Sequence, residues 1–276
     1  MTTPRLTVAL TFDHDSLSDG IRRNDTVVKL SHAEFGHRVG VPRLLELLRR
    51  EQIASTWFVP GWTMTTYRDD TEAIVAGGHE LACHGWFHED FAELSDPAQQ
   101  GVLERWVKAA REVAGVAPTG FRAPYWSLGR LTLDHVLAAG FTYDSSLMAD
   151  DYRPYRVRLR DTHSVEHGST FGEESALREV PVYWTLDDWP QFEPDGARGR
   201  DGMSAPSKVL EIWLAELRYA HAHADGGLLT VTMHPECIGR GSRMAMLERF
   251  IDTAASLEGV VFDRLDRYVD AWSASA

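Results

Sequence analysis

Apolar residues along this chain fall into short runs separated by amphipathic stretches, and the two kinds of segment alternate. Residues 6–12 (LTVALTF) form a short apolar run that predicts a strand. After Pro42, residues 43–51 carry Leu44, Leu45, Leu47 and Leu48 on one stripe, the spacing of an amphipathic helix with a first-turn proline. Residues 55–59 read as a second strand, and Asp70 and Thr71 as caps of a short helix that Gly77 and Gly78 end. Residues 80–84 form a third strand. Asp96 followed by Pro97 opens a long helix that stops near Gly115. Further strands are predicted at 120–123, 141–145, 178–183, 228–233 and 260–263. Helices are predicted at 131–139, 207–225 and 242–257, with a short one at the C-terminus.

Repeated β-then-α order specifies an α/β fold with a parallel sheet, and seven or eight units suggest a barrel, with an open doubly wound sheet as the competitor. Two polar stretches rich in Asp, Arg and His, 16–39 and 150–177, read as long loops and so as candidate functional segments. The chain has no repeat, low-complexity tract or linker, so residues 1–276 are expected to form one domain. At 43% hydrophobic residues, a full core needs no staples, and Cys83 and Cys237 are too few for a disulfide framework. A net charge of −13 argues against nucleic acid or an anionic membrane as partner. No run reaches membrane-spanning length, and the N-terminus lacks the pattern of a secretion signal, so a soluble, cytoplasmic protein is expected. Homo-oligomerisation is expected on general grounds.

The candidate chemistry sits where predicted strands end. Asp13 and Asp15 close the first strand in TFDHD, and residues two apart on a strand share a face. His84 and His88, in HGWFH, have a spacing that suits two imidazoles on one metal ion. Two histidines and a carboxylate leave coordination positions open, which fits Zn²⁺ and also Co²⁺, Ni²⁺ or Fe²⁺, and the second carboxylate can serve as general base. Arg122, in GFRAPYW, can pair with Asp13, and Pro124 can fix the Tyr125 N–H as an oxyanion donor. Asp187, Asp188 and Trp189 follow the sixth strand. His234 ends the seventh and can act as general acid beside Asp188. Each group alone has an ordinary structural explanation. Together they fall at the C-terminal ends of different strands, the end where a barrel gathers its active site.

In this order the strings resemble the five motifs of the polysaccharide-deacetylase (NodB-homology, carbohydrate esterase 4) superfamily, from about residue 6 to residue 234. His14, between the aspartates, resembles a subgroup that includes a Helicobacter-type peptidoglycan deacetylase; FGHRVGVPRLLELL, STWFVPGW and TMHPECIGRGSR are similar to it too. The resemblance implies a distorted or incomplete (β/α)7–8 barrel. It implies a metal, most simply Zn²⁺, on Asp15, His84 and His88. Asp13 is then the base, tuned by Arg122, with Tyr125 at the oxyanion and Asp188 partnering the acid His234. Thr232 stands where the family has a leucine lining its acetyl pocket. Thr232, Trp86, Trp126 and Trp189 are the substrate-binding candidates; Trp62 and Trp184 also lie near the motifs, and His37, Arg38 and Tyr152 could reach the mouth. The implied activity is hydrolysis of a non-peptide C–N bond, as in N-deacetylation of a carbohydrate or small N-acyl compound. Two rivals stay open: a cyclic-imide hydrolase or allantoinase-like enzyme on the same scaffold, and a catalytically silent carbohydrate-binding protein.

Overall fold

The first strand organises the sheet, because its outward side chains are apolar and its inward ones small or polar. In the computed structural model, which describes residues 4–117, 119–194 and 203–275, β1 (Leu6–Asp13) is buried along its whole length. Leu6, Val8, Leu10 and Phe12 join the main core under the helices, whereas Ala9 joins a smaller cluster on the opposite face.

The other strands are β2 (Thr56–Val59), β3 (Glu80–Cys83), β4 (Gly120–Phe121), β5 (Tyr143–Asp144), β6 (Tyr155–Arg158), β7 (Thr162–Ser164), β8 (Gly168–Thr170), β9 (Glu174–Glu179), β10 (Gly227–Met233) and β11 (Val260–Phe262). The order β10-β1-β2-β3-β4-β5-β9 is parallel throughout, and β6 adds antiparallel to β9. Between β9 and β10 the wall closes only through one parallel bridge, Asp187 to Thr232, among the described residues. β11 pairs with the first half of β1 and β2 with the second half. The result is a distorted, incomplete (β/α) barrel.

The helices are α1 (Leu17–Arg22), α2 (Val27–Phe35), α3 (Val41–Glu51), α4 (Gly61–Thr66), α5 (Arg68–Ala76), α6 (Asp96–Val113), α7 (Thr132–Ala138), α8 (Trp189–Phe192), α9 (Pro206–His223), α10 (Pro235–Ile238), α11 (Gly241–Ser256) and α12 (Leu265–Ser275). Inside the barrel, Ala9, Phe58, Ala82, Tyr143, Val180 and Leu228 pack against Leu265 and Val269 of α12, which therefore plugs one end. The next layer is polar. The Arg122 guanidinium lies 4.0 Å over the Phe58 ring, beneath the open end.

Four expectations are corrected. Residues 16–39 are not a loop: they form α1, α2 and most of a π-helical turn, Gly36–Gly40. Residues 150–177 carry β6, the β7–β8 hairpin and most of β9, and the sixth parallel strand is Glu174–Glu179 rather than 178–183. Asp70 does not cap its helix. α5 starts at Arg68, and the Asp70 carboxylate bonds His14 and His37 instead. The π-helical turn has a packing role: a Cβ on Gly36 would meet the Glu236 carboxylate at 2.9 Å, and one on Gly40 the Pro235 carbonyl at 2.2 Å. Backbone thus lies on backbone beside His234.

Candidate active site

Strand alternation sends Asp13, His84, Arg122 and His234 to the inside of the open end; Asp13, His84 and His234 line one cavity of about 610 Å³, and Arg122 is buried beside Asp13. Asp13 and Arg122 form a buried pair, with Nη1 donating to Oδ1 at 2.7 Å. The guanidinium also donates to Thr11 Oγ1, the Ser145 carbonyl and Ser145 Oγ, so its buried charge is well compensated. Asp13 Oδ2 is left on the cavity side, 3.7 Å from His84 Nε2.

His84 donates from Nδ1 to the Arg122 carbonyl at 2.8 Å. A carbonyl can only accept, so Nε2 carries the free lone pair. That nitrogen lies 3.5 Å from Asp15 Oδ1, and His88 Nε2 lies 3.2 Å from Asp15 Oδ2. One donor atom from each of the three residues falls within 4.8 Å of the others. Asp15 Oδ1 is buried with no hydrogen-bond partner among the described residues. A carboxylate with one orphaned oxygen, set between two imidazole nitrogens, is the donor set of a divalent cation, and these residues fit one.

Burial alone would raise the Asp15 pKa, but the facing His88, His84 and His234 outweigh it and hold the carboxyl well below the usual range. Burial lowers His84, which favours the neutral ligand form. The HGWFH turn is made possible by Gly85, at φ 71°, and by Glu89, whose carboxylate accepts the Trp86 and Phe87 N–H groups. His88 itself adopts φ 56°.

Asp188 accepts from His234 Nδ1 at 2.8 Å, and both its oxygens accept the His234 backbone N–H at 3.1 Å. His234 Nε2 therefore faces the cavity, 4.0 Å from Asp15 Oδ2. Burial would depress the His234 pKa; the Asp188 bond and charge, with Asp187 and Asp13, lift it well above its ordinary value. Burial pushes Asp187 up to about 7 despite His234.

Of the other predicted residues, Tyr125, Trp126, Trp184 and Trp189 line the cavity. Tyr125 and Trp126 both sit at left-handed φ, 59° and 51°, a strained pair after Pro124. Trp86 does not line the cavity: it packs on Gly61 under the Arg105 guanidinium. Trp62 packs against Phe87 and Tyr67. Thr232 points inward but lies buried beneath the cavity, at the bridge to Asp187. His37 stacks on Tyr67, Arg38 lies near Glu34 on the surface, and Tyr152 is buried and bonded to Glu216, so none of the three reaches the mouth.

Sequence reasoning missed Asp19 and Glu236. Asp19 Oδ1 lies 3.5 Å from His88 Nδ1 and accepts from the Tyr125 hydroxyl. His88, with Tyr125, holds the Asp19 pKa down to about 2 against burial. Glu236 lies on the cavity wall with Oε2 unpartnered among the described residues. A carboxylate two residues after His234 was the signal available for it.

The open end of the incomplete barrel thus gathers an Arg-paired carboxylate, an Asp-anchored histidine and a group of residues that fits a divalent cation. Residues 1–143 match the polysaccharide deacetylase family. The peptidoglycan deacetylase of Helicobacter pylori is 31% identical, covering 86% of this chain and 84% of that protein. A crystal structure of a candidate polysaccharide deacetylase from Mycobacterium smegmatis is 33% identical, with TM-score 0.85, covering 99% of this chain and 92% of that one. The PuuE allantoinase has TM-score 0.83 over 99% of this chain and 92% of that one; at 22% identity this likeness is of fold alone. The chain belongs to the polysaccharide deacetylase family, whose enzymes hydrolyse carbon–nitrogen bonds other than peptide bonds.

Proposed function

We propose that this protein is a divalent-metal-dependent hydrolase that removes an acyl group, acetyl being the simplest, from the nitrogen of a carbohydrate or small N-acyl compound. The observation that carries the reading is the Asp15 carboxylate, its Oδ1 orphaned, set between His84 and His88 with Asp13 and His234 beside it. Asp15, His84 and His88 would hold the metal, with Zn²⁺ the ion their donors suit best. When bound, such an ion polarises a carbonyl and acidifies water.

The chain's own residues do the rest. Arg122 occupies Asp13 Oδ1, which leaves Oδ2 to take a proton from the attacking water. The water oxygen bonds to the acyl carbon, and the Tyr125 N–H, in its left-handed turn, is the proposed donor to the oxyanion. The C–N bond then breaks, and His234 Nε2, anchored through Nδ1 on Asp188, gives its proton to the departing nitrogen.

A ring substrate, such as a cyclic imide or ureide, is the second reading. It is favoured by the flat indoles of Trp126, Trp184 and Trp189 around a cavity of small-molecule size. The test is a panel of N-acetylglucosamine, its oligomers and succinimide-type rings, assayed on protein stripped of metal and on protein reloaded with Zn²⁺, Co²⁺ or Ni²⁺. Metal-restored acetate release supports the first reading, and ring opening the second. Absence of turnover on every compound with full metal loading would sink both.

A further inference from the structure

His14 separates the two aspartates, and the mechanism above does not use it. Alternation turns its ring to the outside of the barrel wall while Asp13 and Asp15 face the cavity. It is fully buried, and Nε2 donates to Asp70 Oδ2 at 3.0 Å. The same oxygen accepts from His37 Nδ1 at 2.9 Å, and the His37 ring stacks on Tyr67 at 4.2 Å. Two N–H donors on one oxygen suit an ionised Asp70, and against its burial the His14 and His37 contacts hold its pKa down.

An apolar side chain would fill this space without the cost of burying an imidazole and a carboxylate. What the polar network adds is direction. A hydrogen bond from His14 fixes the torsions of the residue joining Asp13 to Asp15, where a packed methyl group would permit slippage. The neighbouring restraints have the same target: Thr63 Oγ1 and Ser18 Oγ both donate to the Asp15 carbonyl at 2.8 Å, and the His14 N–H donates to the Phe58 carbonyl at 2.9 Å. Working sites need their groups held to about half an ångström.

We propose that Asp70, acting through His14 and buttressed by His37, is a positioning residue that sets the Asp13–Asp15 segment for metal binding. This rests on the reading that Asp15, His84 and His88 hold a divalent ion. The test uses the full chain, stripped of metal and titrated with Zn²⁺ by calorimetry, together with melting temperatures with and without Zn²⁺. Asp70→Ala should raise the Zn²⁺ dissociation constant about tenfold, as loss of an outer-layer support does. It should also shrink the Zn²⁺-induced rise in melting temperature. A merely structural residue would lower both melting curves together and leave that rise intact.

Asp70→Asn, which still accepts a hydrogen bond from His14, should stay within about threefold of the parent. Where Asp70→Ala does not fold, His14→Phe replaces the donor with a ring of similar size and should show the same loss. Parent-like Zn²⁺ affinity in the folded variant, or equal losses in Asp70→Ala and Asp70→Asn, overturns the proposal. Asp15→Ala is the control. If it too binds Zn²⁺ like the parent, the metal-site reading fails; if it alone loses Zn²⁺, only the positioning role fails.

Discussion

Two groups of histidine and carboxylate face the same cavity, and by distance alone either could hold a cation: Asp15 with His84 and His88, and Asp187 and Asp188 with His234. Their hydrogens separate them. In the first group His84 spends its N–H on a backbone carbonyl, so its lone pair meets a carboxylate oxygen that nothing else satisfies. In the second, both Asp188 oxygens are taken by N–H groups of His234, and the imidazole and carboxylate satisfy each other. The first group keeps a lone pair and a carboxylate oxygen that no hydrogen joins, whereas the second is satisfied within itself. The same residue types are thus arranged to suit a cation in one place and to anchor a proton donor in the other under the proposed reading, according to where each N–H points.

The largest effects should come from breaking the first group. Under the proposed reading, Asp15→Ala or His84→Ala should abolish stoichiometric metal binding, read by elemental analysis, and lower turnover by roughly 10⁴-fold, since a catalytic metal supplies several kcal/mol of transition-state stabilisation. His234→Gln should cost about 10²–10³-fold, as loss of a general acid does, while leaving metal content at the parent level. If His234→Gln empties the metal site, the two groups are one and the contrast is wrong.

A finer cut tests the anchor alone. Asp188→Asn keeps an acceptor for Nδ1 but removes the charge that lifts the His234 pKa. The acid must be protonated to work, so the rate falls as pH rises through that raised pKa. With the charge gone the fall should begin lower, by about one pH unit or more, in the profile of kcat/KM. An alkaline limb at the parent position would show that His234 is not the titrating acid.

Much of this contrast is legible in the amino-acid sequence, because β1 and β10 stand out by apolar density and end in the reactive residues. The failures have physical causes. α2 buries none of its residues, so no apolar stripe marks it as a helix, and Asp19 on α1 is hidden with it. β7 and β8 are exposed throughout and lack the alternation of a half-buried strand. β9 is misplaced because Val180 and Val182, buried beyond its end, draw the expected strand forward, while its own buried Glu179 looks like a surface residue. Trp86 sits inside a metal-ligand motif yet packs under Arg105, a distinction that only side-chain directions can make.

Glu179 sets the smallest test, because it shows a third way to bury a carboxylate near the site. It lies within hydrogen-bonding reach of Asp144, beside Ser146 and next to the Ser145 that holds Arg122. Glu179 Oε1 accepts the Ser146 and Leu147 N–H groups, while its Oε2 and Asp144 Oδ2 have no other partner among the described residues. A single proton between them would satisfy both. Burial, then the neighbouring Asp144 charge, raises Glu179 well above the usual range, and burial raises Asp144 to about 6. The folded pair thus binds more protons than the unfolded chain. The stability it contributes is complete below the ordinary carboxyl pKa and is lost as pH rises through the raised ones, at up to about 1.4 kcal/mol per pH unit for one proton. Glu179→Gln keeps an acceptor for the two N–H groups and offers Asp144 a permanent donor. Its melting temperature should therefore gain on the parent steadily from about pH 5 to pH 8. Parallel curves across that range would mean that the pair holds no extra proton, and that this carboxylate, like Asp15, is kept by positive charge.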